Sequence, residues 1–113
     1  MVIRVKDRVS FSPDRMAKIA LATTDRAQLD LYCVAPGQSQ SAHAHDAQDK
    51  IYYVLEGAGR FSLGGIHERL SAGEALVAPA GVEHGLVNDG REPLLVLVVV
   101  APPPPHGPAA ART

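Results

Sequence analysis

The chain is poor in the residues that would commit it to several common functions. Its 113 residues include one cysteine and no tryptophan. A lone Cys33 allows no intramolecular disulfide, and a structural zinc site built on thiolates needs several of them. This usage fits a reducing cytosol. Charge of one sign is also missing: 11 Lys and Arg face 12 Asp and Glu, for a formal net charge of −1. No excess basic field is left to hold a nucleic acid or an anionic membrane. No apolar run approaches the roughly 18 residues of a membrane span. Residues 1–10 mix Arg4, Lys6, Asp7 and Arg8 into their apolar positions, which leaves no secretory core. The expectation is a soluble, cytoplasmic, single-domain protein with neither nucleic acid nor membrane as partner.

What the chain does have is short apolar segments punctuated by glycine and proline. Residues 2–6 alternate in a way that suits a short strand or an irregular arm. Ser12, Pro13 and Asp14 read as the start of a helix of one or two turns, with Ser12 as its cap. Residues 28–35 place Leu29, Leu31 and Cys33 on one face of a strand that ends at Pro36-Gly37. Residues 51–55 and 74–78 read as further strands, closed by Gly57 and Pro79. Gly64-Gly65 marks a tight hairpin between residues 60–63 and 66–70, because two-residue turns of this kind need positive φ. Many short strands and almost no helical periodicity point to an all-β sandwich or barrel.

Residues 94–100 form an unbroken apolar strand between Pro93 and Pro102. A strand with one wet face should alternate, so something covers both faces of this one: the N-terminal segment or a second copy of the chain, of which a homodimer is the preferred expectation. Residues 102–113, rich in proline and alanine, should form an extended or disordered tail that carries no chemistry, His106 included.

His43 and His45 are one residue apart, and in extended backbone that spacing sends both imidazoles to one side. Taken alone, the pair reads slightly better as two solvated histidines, because Ser41, Ala42, Ala44 and Asp46 around them are not core residues. A second segment changes the balance. Gly73, Pro79, Gly81, His84 and Asn88 stand in the order G-x5-P-x-G-x2-H-x3-N, and Gly37-x5-His43-x-His45 is followed by Gly57. Together these resemble the paired motifs of the cupin superfamily, small single-domain members in particular, over residues 37–57 and 73–88. The strand pattern extends the likeness from about residue 28 to residue 100.

The resemblance implies a double-stranded β-helix, or jelly-roll barrel, over residues 1–101 with a short N-terminal arm. It also implies that the two motifs meet, so that His43, His45 and His84 hold one divalent transition metal ion: Fe, Mn, Zn, Ni or Cu. The glycines and Pro79 then shape strand ends, and Asn88 is a turn or hydrogen-bond residue rather than a ligand.

One position departs from the family: where the first motif usually supplies a glutamate ligand, seven residues before Gly57, this chain has Lys50. An ammonium has no lone pair for a metal. Three arrangements stay open. The histidines bind the metal alone; or Gln48 or Asp49 adds an oxygen; or Lys50 sits in the pocket as a fixed cation for an anion, with little metal bound. If Lys50 points inward, Tyr52 and Val54 share its face, bringing an ammonium and a phenol near the metal; otherwise Lys50 points to solvent. His67 reads as a surface residue and Cys33 as a buried small hydrophobe. The implied function is a metal-dependent protein for a small-molecule ligand or substrate, with dioxygenase chemistry first and a non-catalytic carboxylate- or sugar-acid-binding module as the alternative. No catalytic residue beyond the ligands is assigned.

Overall fold

A computed structural model describes residues 1–105, so most of the expected tail, His106 included, lies outside the described residues. Among the described residues the strands are β1 (Ala17–Thr23), β2 (Gln28–Val34), β3 (Ser39–His43), β4 (Asp49–Glu56), β5 (Ala58–Leu63), β6 (Ile66–Ser71), β7 (Ala75–Ala78), β8 (His84–Val87) and β9 (Leu94–Ala101). They form a five-stranded sheet, β1-β2-β9-β4-β7, and a four-stranded sheet, β3-β8-β5-β6. All pairings are antiparallel. One core joins the two sheets: Tyr32, Tyr52, Val54, Val96 and Val98 from the first pack with Phe61, Leu70 and Leu86 from the second. This is the double-stranded β-helix that the motif resemblance implies. No helix among the described residues is long and apolar enough to cross a membrane.

The local signals explain the strands. In β4, Lys50, Tyr52 and Val54 are buried while Asp49, Ile51 and Tyr53 are exposed, the period of two of a strand with distinct faces. The hairpin joins Leu63 to Ile66 through Gly64 and Gly65, at φ 57° and 83°. Gly57 is held by a close approach as well as by its φ of 83°, since a Cβ there would lie 2.3 Å from the Pro93 carbonyl oxygen.

The apolar run at 94–100 lacks alternation because β9 lies between β2 and β4. Leu94, Val96, Val98 and Val100 face the core. On the other side Leu95 packs with Leu21, Leu31 and Cys33, and this cluster is covered by Ile3, Val5 and Val9 of the N-terminal segment. Farther along the same sheet, Ile51, Tyr53 and Val77 remain exposed.

Of the two readings of residues 2–6 the irregular arm holds: a 3₁₀ turn spans Val5–Arg8, and Ile3, Val5 and Val9 lie on the sheet instead of extending it. One expectation is corrected and one strand is new. No helix follows Ser12: its hydroxyl accepts a bond from the Asp14 amide at 3.4 Å, but the chain bends once and enters β1. That strand was not anticipated, because Ala17, Ala20 and Ala22 give a weak β signal, and only pairing with β2 decides it.

Candidate metal centre

The two sheets bring polar side chains together at one end of the core. His43 is the last residue of β3 and pairs with His84, the first residue of β8. The loop after β3 carries His45, and its backbone is pinned because the Gly81 amide donates to the His45 carbonyl at 2.7 Å. The ligand-capable nitrogens of His43, His45 and His84 all lie within 4.8 Å of one another. Ring centroids are 4.4 Å apart for His43 and His84 and 4.9 Å apart for His43 and His45.

The second nitrogens fix the tautomers. His43 Nδ1 lies 2.7 Å from the Ser41 carbonyl oxygen and His84 Nδ1 lies 2.9 Å from that of Val82. A carbonyl oxygen only accepts, so each Nδ1 carries the proton and each Nε2 keeps its lone pair. Both Nε2 atoms are buried without a hydrogen-bond partner. A buried polar atom left unpaired costs on the order of 1–3 kcal/mol. Two such acceptors beside a third histidine fit a metal ion, and ligand histidines commonly donate their other N–H to a carbonyl in this way.

The electrostatics keep these rings neutral. Burial is the main cause, holding all three imidazoles below their ordinary pKa, with His84 pushed down to about 4. Lys50 acts on all three in the same direction, and Lys18 on His43 and His45. Neutral imidazole is the form that ligates a metal.

Lys50 is 2% exposed and points inward from β4. Its Nζ lies 5.4 Å from the Tyr32 ring centroid and 5.5 Å from that of Tyr52. The Tyr52 ring is in turn 5.9 Å from that of His84. The Tyr52 hydroxyl donates to Gln40 Oε1 at 2.8 Å, and burial, followed by the nearby Tyr32, pushes its pKa far up. Tyr52 is therefore a neutral, hydrogen-bonded phenol at physiological pH. Asp49 faces the other way: its carboxylate accepts from the Ala80 amide at 2.9 Å, and it is not part of the histidine group. Gln48 is half-buried in the loop before β4.

Four residues near the site escape a reading of the sequence. Gln40 is buried, and its Nε2 has no hydrogen-bond partner. Lys18 and Tyr32 pair across β1 and β2, and the Lys18 Nζ is 5.6 Å from the Tyr32 ring centroid. Gly85 lies where β8 meets β3 so closely that a Cβ would fall 2.8 Å from the Gln40 carbonyl oxygen. Adjacency to His84 is the only sequence signal that Gly85 offers. Asn88 is fully buried; its Nδ2 donates to the Val34 and Glu92 carbonyls and its Oδ1 accepts from the Gly90 amide. Cys33 is buried away from the histidines and His67 is exposed.

Comparison with known proteins places the fold in a known family. A solved structure from Thermus thermophilus, TT1209, superposes with a TM-score of 0.87 at 40% identity, covering 89% of this chain and 96% of that one. The tetracenomycin polyketide synthase protein TcmJ of Streptomyces glaucescens is 36% identical over 64 residues, 57% of this chain and 43% of its own. An oxalate-binding protein of Thermotoga maritima is 34% identical over 59 residues, 52% of this chain and 49% of its own. The matched segments thus span about half or less of these curated relatives. The Cupin domain family matches residues 30–100, a stretch that contains all three clustered histidines, and the chain belongs to that family.

Proposed function

We propose that the protein holds one divalent transition metal ion through His43, His45 and His84 and uses it on a small molecule, with dioxygenase-type oxidation as the first reading. The observation that carries this is the pair of buried Nε2 atoms on His43 and His84, each without a partner and each on a ring anchored through Nδ1. Three protein ligands leave coordination positions for a small molecule. When bound, the metal would supply Lewis-acid and redox chemistry at those positions. The chain's own part is to orient the imidazoles, keep them neutral by burial, and present Lys50 and Tyr52 along the inner face of β4.

The test is elemental analysis of untagged protein purified without chelator, for wild type, His43→Ala and His84→Ala. About one equivalent of a transition metal in wild type, lost in both variants, supports the reading. A wild type that holds and rebinds none overturns it. Oxygen consumption with candidate substrates then tests the oxidative step.

The relation to an oxalate-binding protein favours a second reading, a binding module without turnover. In that case a ligand raises the melting temperature of the metal-loaded protein and no oxygen is consumed. Either reading is compatible with a homodimer in which a second copy covers Ile51, Tyr53 and Val77. Light scattering of wild type and of Val77→Lys tests this, and a monomeric wild-type mass refutes it.

A further inference from the structure

We propose that Gln40 is a specificity residue of the metal centre: its side-chain Nε2 donates a hydrogen bond to the small molecule that the metal holds, and so selects a ligand with a lone pair at that point. The inference rests on the metal reading above and adds a residue outside the ligand set.

Among the described residues, three side-chain polar atoms are buried without a partner: His43 Nε2, His84 Nε2 and Gln40 Nε2. The two imidazole nitrogens are acceptors, and one metal ion satisfies both. An amide nitrogen only donates, so the same ion does nothing for Gln40. What the metal leaves unmet is one acceptor for this amide, and no described residue supplies it.

Gln40 is held beside the ligands from two sides. Its backbone pairs with Leu86 while His43 pairs with His84, across an irregularity between Gln40 and His43. A Cβ on Gly85 would fall 2.8 Å from the Gln40 carbonyl oxygen, so Gln40 lies against the residue next to His84. From the opposite sheet the Tyr52 hydroxyl donates to Gln40 Oε1 at 2.8 Å, and the Tyr52 ring is 5.9 Å from that of His84. That bond decides which end of the amide is free. Burial raises the Tyr52 pKa, so the phenol keeps its proton, and edge contacts at 5.7 Å to Phe61 and 6.2 Å to Tyr32 hold the ring. The carbonyl end of Gln40 therefore faces the phenol, and the Nε2 end is left for another group. A donor fixed in this way favours a ligand that presents a lone pair to it. One that presents an N–H or O–H leaves the buried donor unpaired.

Visible and infrared titration of azide into the cobalt-loaded, full-length protein tests the proposal, with Gln40→Met and Tyr52→Phe as variants. Azide has lone pairs and no hydrogen, and methionine matches glutamine in length without the amide. Gln40→Met should keep the cobalt and its visible spectrum, lose azide affinity by about tenfold or more, and shift the azide stretch from its wild-type frequency. Tyr52→Phe frees the amide to turn and should lower azide affinity by a few fold. Unchanged azide affinity in cobalt-loaded Gln40→Met overturns the proposal and leaves the amide to a structural water. A changed cobalt spectrum in that variant overturns it as well, because Gln40 then orients the ligands instead. So does a cobalt-loaded wild type that binds no azide. If Gln40→Met does not fold, Tyr52→Phe decides: lower affinity with a shifted stretch supports the proposal, and anything else overturns it. Failure of wild type to hold cobalt is a separate result, which overturns the metal reading itself.

Discussion

Replacing Gly85 by alanine should damage the metal centre without touching a ligand. Gly85 has no positive φ, so its backbone would accept a side chain, and in a strand alanine is better than glycine by about 0.5–1 kcal/mol. Space is what forbids it. The added Cβ would stand 2.8 Å from the Gln40 carbonyl oxygen, 2.9 Å from the Ala42 nitrogen and 3.0 Å from the Ala42 Cα. Comfortable carbon contacts lie at roughly 3.5–4.0 Å, and these neighbours are backbone atoms that no rotamer change can remove. The strand β3 must therefore move away from β8. Overpacking of this kind costs about 1–3 kcal/mol, so the net loss should be about 1–2 kcal/mol once the gain in strand propensity is set against it. For a domain of this size that lowers Tm by about 4–8 °C. Because His43 on β3 pairs with His84 beside Gly85, the same displacement separates two ligands. Metal affinity should fall by about tenfold or more, equivalent to about 1.4 kcal/mol. Thermal unfolding followed by circular dichroism, with metal content measured on the same samples, checks both effects. A variant that melts with wild type and holds the same metal would show that β3 and β8 are not wedged together as described.

Lys50→Glu should place a carboxylate where the ammonium now sits, strengthening metal retention against a chelator by about tenfold or more. Weaker metal retention than wild type would mean that position 50 does not reach the centre. Metal-free protein should lose stability as pH falls. The folded pKa of His84 is depressed from 6.5 to about 4, so below pH 6.5 the unfolded chain takes up a proton that the folded chain refuses. The loss should approach about 3 kcal/mol by pH 4. His43 and His45 act in the same direction, and urea unfolding at several pH values, with His84→Gln flattening the profile, is the check. Asn88→Ala removes bonds to Val34, Glu92 and Gly90 at a fully buried position and should cost about 3 kcal/mol in chemical denaturation, with metal stoichiometry unchanged.

Much of the barrel was legible because it depends on local rules. Alternation in residues 51–55, the Gly64-Gly65 turn and the apolar run at 94–100 each report neighbours within a few residues, and each became a strand or hairpin. The motif spacing likewise anticipated a cluster of His43, His45 and His84, since it encodes strand ends that must meet when the sheets close. β1 was not legible: its alanines carry little preference, and its place at the sheet edge comes from pairing with β2. The alternation of the N-terminal segment suited a strand or an irregular arm equally, and packing of Ile3, Val5 and Val9 on the outer sheet face decided for the arm.

By itself, then, the sequence determined an all-β chain, two histidine motifs and a lysine where the family usually has an acid, because these are properties of residue type and spacing. Only the tertiary structure decided that Lys50 is buried beside two tyrosines, that Asp49 turns away to the Ala80 amide, and that Gly85 sets the distance between the strands bearing His43 and His84. Those outcomes depend on strand register and on contact between residues far apart in the chain. A shift of one residue would exchange the two faces of β4 without changing its composition.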